Sequence, residues 1–233
     1  MNHKIFREYD IRGRADRDLS DELVFDLGRA IGTRFAALGP DRQIAVGRDC
    51  RLTSPRLHEA LVEGLLTTPV SIVDIGIVAT PLLYFAPFHF SLAGGVQITG
   101  SHNPPEDNGF KIVVGKSTIH GAAIQDLRRT IDARSFATGQ GASEERPIVD
   151  AYLEHARKQI QLGPRRCKVV LDAGNGPGGV VGVPLYRALG FDVVPLYCEM
   201  DGNFPNHHPD PTVEDNLADL KETVRREGAE LGI

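Results

Sequence analysis

Val96-Gln97-Ile98-Thr99-Gly100-Ser101-His102-Asn103-Pro104-Pro105, continued after Glu106 by Asp107-Asn108-Gly109-Phe110-Lys111-Ile112-Val113-Val114, is a pair of apolar runs joined by a turn-rich loop. Residues 96–99 and 110–114 read as short strands, so Ser101 sits at a strand end, where α/β proteins build their sites. Gly100 before the serine lets the backbone approach a ligand closely, and the paired prolines stop a helix from absorbing the exposed hydroxyl. A loop serine on its own is most often a cap or turn residue, because it hydrogen-bonds its local backbone so readily. The alternative is covalent work, which a weakly nucleophilic hydroxyl performs only with a base or cation within reach; His102 and Lys111 are the nearest candidates. No Gly-x-Ser-x-Gly elbow surrounds Ser101 and no carboxylate pattern suited to acyl transfer follows it, which weighs against a hydrolase.

Outward from this loop the chain alternates strand and helix. Residues 19–38 show helical apolar spacing after a Ser20 cap, residues 43–46 and 70–75 read as strands, and residues 54–66 as the helix between them. Residues 137–147, rich in Gly, Ser and Glu, read as a linker, giving domains at 1–146 and 147–233. The second unit repeats the order: a helix near 149–161, a strand at 168–171, a helix from Gly179 and a strand at 192–196. The closing Gly228-Ala229-Glu230-Leu231-Gly232-Ile233 reads as an apolar strand cut off as it begins.

Composition sets limits on partners. The 233 residues, 41% hydrophobic and 24% charged, can bury one sizeable core or two modest ones. A net charge of −5 argues against general affinity for nucleic acid or an anionic membrane, so any phosphate site must be a local concentration of cations. Cys50, Cys167 and Cys198 lack metal-ligand spacing and suit reduced thiols in a cytosol. The charged opening Met-Asn-His-Lys-Ile-Phe-Arg-Glu is no signal peptide and no apolar run is long enough to span a bilayer, so the expected location is cytoplasmic.

Two patterns in the second unit invite other chemistry. Gly174-Asn175-Gly176-Pro177-Gly178-Gly179 fits Gly-x-Gly-x-x-Gly between a strand and a helix, with Glu199 about 20 residues on, as a dinucleotide fingerprint has. Pro177 removes a backbone donor that a pyrophosphate would need, which favours a tight strand-to-helix turn over a dinucleotide site at Gly174, Gly176 and Gly179. His207-His208 are adjacent, point to opposite sides of an extended segment and have no Cys pair or Glu-x-x-His beside them, so they read as structural, with zinc the weaker alternative.

Several separated stretches resemble the α-D-phosphohexomutase family, specifically its phosphomannomutase/phosphoglucomutase branch. Besides the serine loop, Phe6-Arg7-Glu8-Tyr9-Asp10-Ile11-Arg12-Gly13 looks like the family's opening motif and Val46-Gly47-Arg48-Asp49-x-Arg51 like its next one. Asp201-Gly202-Asn203-Phe204-Pro205-Asn206-His207-His208-Pro209-Asp210-Pro211 resembles its second-domain signature. Gly100 before the serine favours this branch over the phosphoglucosamine one.

The resemblance implies two consecutive, similar three-layer α/β/α domains with mixed sheets, the second truncated before its metal-binding loop. It implies a phosphorylated Ser101 that donates to a mannose or glucose phosphate, giving a bound hexose 1,6-bisphosphate that turns over and returns its other phosphate. Arg12 and Lys111 would contact the phosphoserine, with Lys111 a proton donor or acceptor. His102 would either move a proton or orient the loop, and Tyr9 and Asn103 would stand at the substrate edge. For Tyr9, Arg48 and Asn103 a surface-pairing role is an equal alternative. Magnesium would bind a phosphoserine oxygen of Ser101 together with the aspartates of an Asp-Gly-Asp-x-Asp-Arg loop, matching that ion's taste for carboxylate and phosphate oxygens. Those aspartates, and the third and fourth domains that read the sugar and clamp its other phosphate, would follow Ile233. The chain therefore reads as the front half of the enzyme, inactive by itself, with a second sheet short of a strand and open at an edge. A non-catalytic phosphosugar-binding module is the other reading.

Overall fold

The computed structural model describes residues 2–40 and 42–233. The chain divides into two compact units, one formed by the chain up to Ser101 together with Glu106–Pro147, the other by His102–Pro105 and Ile148–Ile233.

The first unit runs β1 (Ile11–Arg14), α1 (Ala15–Asp18), α2 (Asp21–Ala36), β2 (Arg42–Arg48), α3 (Ser54–Leu66), β3 (Val70–Ile77), α4 (Thr80–His89), β4 (Gly94–Ile98), β5 (Asp107–Val114), β6 (Ser117–Thr118), α5 (Ala122–Asp132) and β7 (Ser143–Glu145). Its sheet is ordered β1-β5-β4-β2-β3-β7, with β6 also on β5. The β2 strand pairs in parallel with β3 and β4, and β3 with β7, whereas β5 is antiparallel to both β1 and β4. The sheet is therefore mixed, as expected.

Local chemistry accounts for the element ends. The Ser20 hydroxyl accepts the Leu23 N–H at 3.3 Å and starts α2. Pro55 occupies the first turn of α3, where its missing N–H costs nothing. Within the sheet, period-two alternation sends Ile44, Val46, Ile72, Val96, Ile98, Phe110 and Ile112 to one face, where they bury against α2, α3 and α5 through Leu27, Ile31, Leu61, Leu65 and Leu127. The opposite face receives α4, whose Leu83 stands 2.8 Å from where a Cβ on Gly95 would be. Coverage on both faces is why residues 44–46 of β2 and all of β4 are buried.

Residues 137–147 are more than a linker. Ser143–Glu145 adds a parallel edge strand to β3, with Ile72 opposite Ser143, and its three side chains are exposed. A polar, solvent-facing edge strand has no apolar alternation to announce it.

A half-buried contact between α3 and β3 carries a pH dependence. His58 Nε2 lies 2.9 Å from Asp74 Oδ2, in a direction that falls short of a hydrogen bond, while Asp74 Oδ1 accepts the Gly76 N–H at 2.8 Å. Burial pushes the Asp74 carboxyl up, but His58, the Gly76 N–H and Arg48 outweigh it and hold the group below its ordinary value. A depressed folded-state value stabilises the fold above the unfolded carboxylate's pKa of about 3.9 and loses that stabilisation as pH falls through the folded value. Asp74→Asn is accordingly expected to lower the melting temperature at pH 7, the gap from wild type shrinking as pH drops below about 4. A gap of constant size from pH 7 to pH 3 in calorimetry would refute this.

The second unit contains α6 (Val149–Gln159), β8 (Lys168–Asp172), α7 (Gly178–Ala188), β9 (Asp192–Leu196), α8 (Ala218–Glu227) and β10 (Leu231–Gly232). Its sheet is ordered β10-β8-β9 and both pairings are parallel, so the mixed character expected of both sheets belongs, among the described strands, to the first. Val169, Leu171 and Val193 face Val183 and Tyr186 of α7. On the other side, Leu220 and Val224 of α8 stand 3.0 Å from where a Cβ on Gly232 would be. This unit too has helices on both faces of its sheet. The strand that reads as cut off already does structural work: Ile233 donates its N–H to Val170 O at 2.9 Å and accepts that of Asp172 at 2.8 Å. Central β8 is thus paired on both sides and is not left as an open edge.

Among the described residues no helix is long and apolar enough to cross a membrane.

Candidate active site

Arg12 and Lys111 reach the same place because of strand parity. Arg12 on β1 stands opposite Gly109 of β5, and Lys111 of β5 opposite Gln97 of β4. Ile11 and Phe110, one residue out of phase, bury in the core with α2 and α3. The two cations therefore emerge on the opposite face of the sheet. Gly109 permits the close approach of β1, since a Cβ there would stand 2.2 Å from Ile11 O.

Both cations converge on one carboxylate oxygen. Arg12 Nη2 donates to Asp10 Oδ2 at 2.6 Å, and Lys111 Nζ lies 3.8 Å from that same atom. All three side chains are largely shielded, at 12%, 13% and 25% exposed for Arg12, Asp10 and Lys111. Two cations around one anion make a compact, positively charged group with little water to screen it, the setting in which charge-assisted contacts to an anion are strongest.

Ser101 belongs to the same rim. The Thr99 N–H donates to Gly109 O at 2.9 Å, so Arg12, Gly109 and Thr99 form one row across β1, β5 and the end of β4, with Ser101 two residues on. Ser101 is half-buried and left-handed, with φ of 55°. Such a conformation costs a non-glycine residue about 1–3 kcal/mol and persists only where its surroundings over-determine it. Here the Ser101 N–H donates to Thr99 Oγ1 at 2.9 Å and its carbonyl accepts Arg51 Nη2 at 3.0 Å.

Gly100 also makes room inside the protein. A Cβ at this position would lie 2.5 Å from the Arg51 guanidinium carbon and 2.6 Å from Asp107 O, so the absent side chain makes room for a buried arginine of the protein itself.

The remaining anticipated residues are more peripheral. Tyr9 is 74% exposed, its ring 6.5 Å from that of His120. His102 is exposed and Asn103 half-buried, and both group with the second unit. The charge of Arg48 contributes to holding the Asp74 carboxyl below its ordinary value.

In the second unit, the glycine-rich turn is filled by the protein. Asn175 donates its N–H to Tyr197 O at 2.7 Å and its Nδ2 to Glu199 O at 2.9 Å, while Asn206 Nδ2 donates to Asn175 Oδ1 at 2.8 Å. Gly174 is left-handed, and Gly179 lets α7 approach Cys198, whose carbonyl would be 2.5 Å from a Cβ there. These are the marks of a tight strand-to-helix turn. His207 Nε2 contacts Asp172 Oδ2 at 2.9 Å, so the signature around it folds back on the end of β8. Among the described residues no group of three or more His, Cys, Asp or Glu side chains converges on a possible metal position.

Two features of the site were not anticipated from sequence. Asp10 is the shared partner of the cations, and its position two residues before Arg12, directly ahead of β1, is the signal that points to it. Asp49 and Arg51 form a buried pair beneath the serine loop. Arg51 is 1% exposed and Asp49 6%, and a charged pair so deeply buried at a strand end is the signal that only burial supplies.

The chain matches the model for phosphoglucomutase/phosphomannomutase alpha/beta/alpha domain I over residues 3–138 and that for domain II over residues 150–233. It is 46% identical over 229 residues to a phosphomannomutase/phosphoglucomutase of Pseudomonas aeruginosa, covering 98% of this chain and 49% of that protein. It is 44% identical over 235 residues to a phosphoglucomutase of Neisseria gonorrhoeae, covering 100% of this chain and 51% of that protein. The crystal structure of a phosphoglucomutase/phosphomannomutase family protein from Burkholderia thailandensis superposes with a TM-score of 0.93 at 40% identity, over 100% of this chain and 52% of that one. The chain thus spans about half the length of the curated relatives it matches. With two domain models matched in order along nearly all of its residues, the chain belongs to the phosphoglucomutase/phosphomannomutase family.

Proposed function

We propose that this chain is the front half of a phosphomannomutase/phosphoglucomutase, in which phosphorylated Ser101 exchanges its phosphoryl group with mannose or glucose 1- and 6-phosphates. The observation that carries the reading is the row of Arg12, Gly109 and Thr99 that brings a left-handed serine to a rim bearing Arg12 and Lys111 around a shared carboxylate. A phosphoserine brings about −1.5 to −2 charges at pH 7, and this cluster supplies the opposing charge. Phosphoryl transfer is mainly positioning and neutralisation, which a sheet rim with fixed cations provides.

In the forward step the bond from Ser101 Oγ to phosphorus breaks and one from a sugar hydroxyl oxygen to phosphorus forms. The hydroxyl proton passes to a basic group, with Lys111 or His102 in that role, and Ser101 Oγ leaves as the alkoxide that a proton neutralises. The resulting hexose 1,6-bisphosphate turns over and its other phosphate returns to Ser101, so phosphate is conserved. Tyr9 and Asn103 line the substrate edge.

Magnesium, when bound, neutralises the transferring phosphoryl oxygens. The described carboxylates of this chain do not assemble a site for it. We assign its protein ligands besides the phosphate on Ser101, together with domains III and IV, to the half of the relatives' length that this chain does not span, and we take the first two domains as residues 1–146 and 147–233. The protein works in the cytoplasm on hexose phosphates, and nucleic acid and membranes are not its partners.

A coupled assay with glucose 1-phosphate or mannose 1-phosphate, a catalytic amount of glucose 1,6-bisphosphate and magnesium tests the reading. Full-length protein is expected to turn over and residues 1–233 alone are expected not to. Absence of turnover by the full-length protein would overturn it in favour of a phosphosugar-binding module.

A further inference from the structure

The guanidinium of Arg51 is fully buried and spans three acceptors in different directions. Nε donates to Asp49 Oδ2 at 3.1 Å, Nη1 to Asp107 O at 3.1 Å and Nη2 to Ser101 O at 3.0 Å. Asp49 in turn accepts the N–H of Arg51 at 3.0 Å, the Ser54 hydroxyl at 2.5 Å and the Gly100 N–H at 3.2 Å. Asn108, also fully buried, donates to Ser54 Oγ at 2.9 Å and Thr53 Oγ1 at 3.0 Å. Both ends of the serine loop, Gly100 to Ser101 and Asp107 to Asn108, are thereby tied to the segment that follows β2. Burial pulls the guanidinium below the ordinary arginine value, Asp49 opposing it, but arginine keeps its charge in proteins.

We infer that Arg51 is a positioning residue for the reaction proposed above: it holds the left-handed backbone of Ser101 and so sets the direction of Oγ, without touching the sugar phosphate. With its side chain 0% exposed, no ligand reaches the guanidinium. Its planar fork is what the task requires, because the single-point ammonium of lysine cannot serve Asp49, Asp107 and Ser101 together. Gly100 belongs to the same device, since any side chain there displaces the fork.

The inference rests on the mutase reading, and the test separates the two. In the full-length enzyme, Arg51→Lys keeps the charge and removes the fork. A displacement of the nucleophile by about 1 Å costs on the order of 10²-fold, so kcat is expected to fall by about that factor while KM for the hexose 1-phosphate stays within about twofold. Phosphoserine occupancy after incubation with glucose 1,6-bisphosphate, read by intact-protein mass, is expected to form more slowly in the variant. Gly100→Ala keeps every charge and drives one methyl group against the guanidinium and Asp107 O, so it is expected to lower the melting temperature and, in the folded protein, to show the same split between kcat and KM. Wild-type kcat in either folded variant overturns the inference, as does a rise in KM with kcat unchanged. Should Arg51→Lys fail to fold, Gly100→Ala decides; should both unfold, the network holds the domain and not the serine, which also overturns it. A wild-type enzyme without mutase activity overturns the underlying reading instead.

Discussion

Ser101→Ala in the full-length enzyme is expected to abolish hexose phosphate interconversion, lowering kcat by on the order of 10⁴- to 10⁶-fold, the range found when a covalent nucleophile is removed from machinery that acts as a unit. The expectation follows from the geometry of the rim. Arg12 and Lys111 are gathered around Asp10 and remain so in the variant, so hexose phosphate binding survives while the atom that carries the phosphoryl group is gone. Alanine pays a left-handed penalty comparable to that of serine at φ 55°, and the Arg51 contact is to the backbone carbonyl, so the fold is expected to persist. The decisive measurement pairs the coupled assay with mass spectrometry of the protein after incubation with glucose 1,6-bisphosphate. A variant that retained a tenth of wild-type kcat, or acquired a stoichiometric phosphate elsewhere, would sink the assignment of Ser101.

A second large effect is expected far from the site, at Gly64→Ala. Helix propensity alone favours alanine over glycine by about 1 kcal/mol in the middle of α3. Packing reverses the sign. A Cβ on Gly64 would lie 2.0 Å from Phe25 O, and one on Gly28 of α2 would lie 2.4 Å from Leu61 O. Both obstacles are backbone atoms of a facing helix, which cannot rotate away as a side chain can. Relieving them requires α2 and α3 to separate along the interface that buries Leu27, Ile31, Leu57, Leu61 and Leu65. Overpacking of this kind costs about 1–3 kcal/mol or more, so the substitution is expected to destabilise the first unit by about 2 kcal/mol net. For a unit of this size that corresponds to a fall in melting temperature of about 4–8 °C. Scanning calorimetry checks it, and an unchanged or higher melting temperature would show that the helices yield where the backbone contact says they cannot.

Much of the architecture is legible in sequence because its causes are local. The Ser20 cap, Pro55 in the first turn of α3 and the apolar stretch from Asp192 to Leu196 each act through neighbours within a turn or a strand, and the observed elements lie where those signals stand. Helix α4 escaped because Thr80–His89 is apolar on nearly every side and contains Pro87, so no polar stripe marks its period. The strand Ser143–Glu145 escaped for the opposite reason, since an exposed polar edge carries no apolar alternation and exists through its pairing with β3.

The candidate site divides in the same way. Ser101, Arg12 and Lys111 were legible as chemistry, as were the motifs that hold them. The sequence alone determined the residue types and the order of two α/β domains, because hydrophobic period, caps and turn residues report on contacts a few positions apart. Only the tertiary structure decided that Asp10 stands between Arg12 and Lys111, that Gly100 yields its space to Arg51, and that Gly64 makes way for Phe25 O. Each of those facts includes a distance between residues far apart in the chain, Asp10 to Lys111, Gly100 to Arg51 and Gly64 to Phe25, and such distances are set by strand register and helix packing over the whole unit, which no local window of sequence contains.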